Sequence, residues 1–172
     1  MTASPTPCGD AATVSVLVEV PQDVAFDIFT REIDLWWRHG PQYRFAGRVP
    51  GALTLEPRVG GRLFEAYASE SGPHVLERGR VVEWVPPARL AFEWRANNFA
   101  PAERTLVEVS FEPAARGTRV TVRHSGWAAL RPGHPARHGL EGAAVSRMIG
   151  LWWGDLMTSL REHIDHGPID DP

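Results

Sequence analysis

The chain has 172 residues, 43% hydrophobic and 23% charged, enough for one folded domain with a real core and unlike a disordered chain. A formal net charge of −3 leaves no concentrated basic face, which argues against a nucleic-acid partner. All 18 basic residues are arginines, so a Schiff-base lysine or a phosphate-loop lysine is excluded.

Residues 1–12, "MTASPTPCGDAA", have loop composition and predict a disordered leader. The single cysteine, Cys8, lies there without a partner for an internal disulfide, and a cytoplasmic setting is expected. No signal-like leader and no bilayer-length apolar run occurs, so neither export nor a membrane is expected. "TVSVLVEV" then sets Val14, Val16, Val18 and Val20 at period two, a first strand. Pro21 suits a first helical turn, and Phe26, Phe29, Ile33 and Trp36 or Trp37 follow at helical spacing to "RHGP".

Six short segments with strand character come next: "ALTLEP", "GRLFEAYA", "ERGRVVEWV", "RLAFEWRA", "TLVEVSFEP" and "TRVTVRHS". Their tight breaks predict an antiparallel meander. After the Pro/Gly loop "AALRPGHPARHG", a long helix is expected over 140–164, with Val145, Ile149, Trp152, Leu156 and Leu160 as its main stripe. The order strand, helix, six strands, long helix indicates one α+β domain over 13–165, followed by a tail at 166–172. "LWW" occurs twice, at Trp36–Trp37 and at Trp152–Trp153, but with dissimilar flanks and no fixed period. It is not an internal repeat.

Parity sorts the strand faces. Leu90, Phe92 and Trp94 alternate with arginine and glutamate; Val107, Val109 and Phe111 alternate with Glu108 and Ser110; Val120, Val122 and His124 alternate with arginine and threonine. One sheet face is therefore apolar and the other wet, and most arginines fall on the wet side. Two polar residues fall on apolar faces. Glu65 lies between Leu63 and Tyr67, and His124 ends the row of Val120 and Val122. Both are candidate ligand contacts, or an acid and base if a reaction occurs. The plainer alternatives are a strand-end histidine bonded to backbone and an outward glutamate. Arg78 or Arg80 is placed to neutralise Glu65 across a hairpin.

No self-sufficient catalytic signature is present. "RVGGRL" lacks the spacing and following helix of a phosphate loop, and G-x-S-x-G, C-x-x-C and H-E-x-x-H do not occur. His134 and His138 have helical zinc-ligand spacing, but Pro135 and a Pro/Gly loop separate them. Neither a metal nor a cofactor is expected.

The pieces "VPQDVAFDIFTREIDLWW", "RVGGRLFE", "GRVVEWVPPARLAFEW", "VEVSFEPAARGTRVTVRHSGW" and "WWGDLMTSLREHI", in this order and spacing, carry a family resemblance over residues 14–164. The chain resembles the bacterial relatives of the activator of the heat-shock-protein-90 ATPase, in the START-like (SRPBCC) superfamily. The resemblance implies a helix-grip fold: a curved antiparallel sheet around a long C-terminal helix, with a cavity between them. Trp36 and Trp37 would border that cavity from the first helix, and Met148 and Trp152 from the last. Glu65, Tyr67, Trp84, Phe92, Trp94, Val107, Val109 and His124 would face it from the sheet.

The resemblance implies no single function. A cavity of this composition suits non-catalytic binding of a small hydrophobic or aromatic molecule, expected to be neutral because few arginines face inward. The second reading is an enzyme of cyclase, dehydratase or hydrolase type acting on such a molecule, with Glu65 and His124 as acid and base. Stimulation of a chaperone ATPase ranks last, because the chain has no counterpart of the eukaryotic activators' separate N-terminal domain. A monomer or homodimer is expected.

Overall fold

The computed structural model describes residues 10–166 except 45, 47, 48, 50 and 97; Cys8 and the tail beyond His166 lie outside the described residues. In chain order come β1 (Ala12–Val18), α1 (Gln22–Arg31), α2 (Ile33–Trp36), β2 (Gly51–Leu55), β3 (Arg62–Ser69) and β4 (Gly72–Val85). β5 (Arg89–Trp94), β6 (Thr105–Ala114), β7 (Gly117–Ser125) and α3 (Ala143–His166) complete the order. The strands make one antiparallel sheet, β1-β7-β6-β5-β4-β3-β2, curled around α3 in a helix-grip arrangement. No helix among the described residues is long and apolar enough to cross a membrane.

The alternation read from the sequence becomes cross-strand rows. Leu90, Val109 and Val122 are paired across β5, β6 and β7, and Phe92, Val107 and His124 form the next row. Phe111 opposes Val120, which in turn opposes Val16 of β1. All but Val16 in these rows are almost completely buried. Arg123 and Glu108 pair at 3.0 Å on the opposite face.

The expected first helix is two helices. The chain turns at Glu32, and Thr30 hydrogen-bonds back to the Phe26 carbonyl (2.8 Å), a side-chain bond that bends helices. The break has a packing consequence. Trp36 ends α2 against Phe29, whereas Trp37 is extended and points to the sheet, so both adjacent indoles are buried.

α3 buries Val145, Ile149, Trp153, Leu156, Met157 and Leu160. The expected stripe is thereby corrected at one position: Trp153 is fully buried, and Trp152 is only half-buried. At ~100° per residue, positions 152 and 153 lie about equally far on either side of the stripe set by 145, 149, 156 and 160, and the burial of Met157 extends the stripe to the side of 153. Trp152 falls on the flank shared with Met148.

Candidate functional site

Between α3, the inner sheet face and the loops following α2, β5 and β7 lies a cavity of about 960 Å³. That is the size of a site for a drug-sized molecule. Trp94 lines it from β5, Phe99 from the β5–β6 loop and Trp127 from the β7–α3 loop; Met148, Ile149 and Trp152 form the helix wall. Leu151, 66% exposed, also lines it beside the exposed Arg147, so the helix side of the mouth carries both an apolar and a charged residue. Tyr43, Arg44, Arg78 and His124 supply polar groups.

The two "LWW" segments meet here. Trp37 is the hub: its ring centroid lies 5.5 Å from Trp36, 5.6 Å from both Trp152 and Trp153, and 5.9 Å from Trp94. Trp94 and Trp152 also meet edge-on at 5.6 Å. Such offset and edge contacts are the favoured aromatic geometries. Each indole N–H of the two segments has a partner. Trp36 donates to the Phe29 carbonyl, Trp37 to Tyr43, Trp152 to Gln42 and Trp153 to His124 Nδ1.

Arg78 reaches the cavity through an irregularity. β3 and β4 pair Leu63 with Gly79 and then Phe64 with Glu77, leaving Arg78 as the extra residue of a bulge. A bulge sends two successive side chains to one face, and Arg78 and Gly79 are both buried. Gly79 is required there, because a Cβ would lie 1.6 Å from the Glu93 carbonyl oxygen. The expectation that arginines stay on the wet face is thus corrected for Arg78. Its Nη1 lies 3.2 Å from Glu65 Oε2, with both side chains only 2% exposed. It donates to the Tyr43 carbonyl (2.9 Å), and its guanidinium lies 4.2 Å from the Trp94 centroid. Burial pulls Arg78 down to about 9, Glu65 opposes this, and the guanidinium stays charged at neutral pH. Arg80 pairs instead with Glu77.

Arg44 is also buried and lines the cavity, held by Asp34 at 2.7 Å and by the carbonyls of Asp34, Trp37 and Arg38. These bonds fix the 40–44 segment over α2. Tyr43 in turn donates its hydroxyl to Asp155 Oδ2 on α3 (3.1 Å).

His124 sits in a directed relay. An indole N–H only donates, so Trp153 requires a bare Nδ1, and the ring proton is on Nε2, facing Thr105 Oγ1 at 2.7 Å. Thr105 in turn donates its hydroxyl hydrogen bond to the Trp94 carbonyl at 3.3 Å. Neither ring nitrogen can take a proton from a ligand without first releasing Thr105 or Trp153. Burial lowers the imidazole from 6.5 to about 3, so it is neutral.

This makes stability pH-dependent. Below pH 6.5 the unfolded chain takes up a proton that the folded chain refuses until about pH 3. The contribution is fully present above 6.5 and is lost at about 1.4 kcal/mol per pH unit as pH falls. Urea unfolding between pH 4 and 7 should show the wild type losing stability more steeply than His124→Gln by about that amount. Equal slopes would contradict a buried neutral imidazole.

Of the residues singled out in the sequence, Trp94, His124, Met148 and Trp152 lie in the cavity lining. Trp37 and Glu65 lie one layer behind, against Trp94 and Arg78. Trp36, Phe92, Val107 and Val109 are buried in the core. Tyr67 stacks on His74 near the β3–β4 turn, and Trp84 packs on Phe26 of α1. Glu65 and His124 are not bonded to each other: His124 holds Thr105 and Trp153, and Glu65 holds Arg78. His134 is buried with its Nε2 on Glu103 (3.1 Å), and His138 lines the cavity. The loop contributions of Tyr43, Arg44, Phe99 and Trp127 had no periodic signal to reveal them.

Residues 19–148 match the family model described as activator of Hsp90 ATPase homolog 1-like protein. No curated protein matches the chain. Among solved structures, protein MLL2253 from Mesorhizobium loti is 19% identical with a TM-score of 0.62, covering 92% of this chain and 99% of that one. Protein NE0264 from Nitrosomonas europaea is 15% identical with a TM-score of 0.60, covering 95% and 99%. At these identities the likeness is one of fold.

Proposed function

Taking as premise that the chain belongs to the family of activator of Hsp90 ATPase homolog 1-like proteins, we propose that it binds a small hydrophobic or aromatic molecule between the sheet and α3, without catalysis. The observation that carries this reading is a cavity of about 960 Å³, walled by Trp94, Phe99, Trp127, Met148 and Trp152, whose deep polar groups are already engaged with the protein. Flat apolar surface rewards burial of an aromatic body. The deep polar groups hold the walls in place: Arg78 is anchored by Glu65, and His124 by Thr105 and Trp153. Function in such folds lies in the site rather than the architecture, which is why the reading rests on the lining.

The neutral fluorophore N-phenyl-1-naphthylamine is a suitable probe. It should bind saturably at one site, with energy transfer from the cavity tryptophans. Met148→Trp, which adds bulk to the half-buried helix wall, should weaken binding at least about tenfold, a loss of roughly 1.4 kcal/mol. Unsaturable binding, or equal affinity in the variant, would count against the cavity as the site.

A further inference from the structure

The polar side chains of the cavity fall into two groups. The deep ones are committed: Arg44 to Asp34, Arg78 to Glu65, His124 to Thr105 and Trp153, and Tyr43 to Asp155. Four others in the lining, Gln42, Asn98, His138 and Arg147, make no side-chain hydrogen bond or ion pair among the described residues. All four can donate hydrogen bonds, and none is acidic.

Arg147 is the decisive one. Among the described residues it is the one arginine of the lining whose charge no carboxylate balances, and it stands one position from Met148 of the apolar wall. The one carboxylate among the described residues of the lining, Asp155, lies eight residues further along α3, about 12 Å along the helix axis, and already accepts from Tyr43. Asn98 and His138 belong to two loops that meet, because the Phe99 ring packs on Trp127 (6.4 Å) and on His134 (4.8 Å). His138 is moreover a non-glycine residue at φ +49°, a sparsely populated conformation often found at functional positions.

We propose that the ligand is an aromatic carboxylate whose flat body lies against Trp94 and Trp152 and whose carboxylate is received at the mouth by Arg147. Asn98 and His138 add donors from the facing loops. The inference rests on the binding reading above and sharpens it, because a neutral ligand would leave the cavity's unbalanced cation unused. Arg147 then sets specificity rather than overall retention, since the apolar walls supply most of the contact.

The test is isothermal titration calorimetry with 2-naphthoate and its near-isostere 2-naphthamide, on the wild type, Arg147→Gln and Arg161→Gln. Arg161 is exposed on the same helix and outside the lining. The wild type should prefer naphthoate by about tenfold, as expected for one charge-assisted contact. Arg147→Gln should bring the ratio to about one, and Arg161→Gln should keep it. If naphthamide binds and naphthoate binds no better, or if the preference survives Arg147→Gln, Arg147 is an ordinary solvated arginine: the inference fails and the binding reading stands. If neither compound binds the wild type, the binding reading itself fails and takes the inference with it.

Discussion

Glu65→Gln is expected to destabilise the protein by about 3–5 kcal/mol, because it strands the Arg78 charge where water cannot reach it. The structural cause is local. The β3–β4 bulge turns Arg78 inward, Gly79 lets β4 pass close to β5, and Glu65 arrives from the neighbouring strand. Arg78→Met should cost a similar amount by leaving Glu65 buried without its cation. The double variant should lose less than the sum of the singles by about 2 kcal/mol, since a buried pair costs less to remove whole than to break. Urea unfolding of the four proteins measures this coupling. Additive losses would show that the two groups do not depend on each other.

Trp153→Ala is the second large expected loss, about 3–5 kcal/mol, because it empties a completely buried indole site. It also removes the donor to His124 Nδ1, leaving a buried acceptor unsatisfied. Trp152→Ala should cost much less, roughly 1–2 kcal/mol, because its ring already borders open space and its N–H reaches only the Gln42 carbonyl. The same two variants should separate the other way in ligand binding, with Trp152→Ala the more damaging. Thermal unfolding and a probe titration of both proteins provide the comparison. Equal stability losses would place both indoles in the core and remove Trp152 from the cavity wall.

Most of the fold was legible because the strands obey strict alternation. Leu90, Phe92, Val107, Val109, Val120 and Val122 could be assigned to one face from parity alone, and the register places them in shared rows. The inward turns of Glu65 and His124 followed from the same rule. Parity fails where the backbone slips. Arg78 and Arg80 have the same parity, and only the bulge sends one inward and the other to solvent. The helix pattern had a comparable ambiguity. Positions 152 and 153 both flank a 145, 149, 156, 160 series about equally, and only Met157, buried on the side of 153, decides between core and cavity. Tyr43, Phe99 and Trp127 come from loops, whose positions depend on long-range contacts such as Arg44 on Asp34 rather than on any local period.

The seven tryptophans offer the most direct test of the cavity as the binding site. Their indole ¹H–¹⁵N signals can be followed as N-phenyl-1-naphthylamine is added. Trp94, Trp127 and Trp152 line the cavity, whereas Trp36 lies in the core and Trp84 packs on α1. The signals of Trp94, Trp127 and Trp152 should shift together and saturate, with Trp36 and Trp84 unmoved. Shifts at Trp84 without shifts at the cavity indoles, or no saturable shift at Trp94, Trp127 and Trp152, would contradict the account.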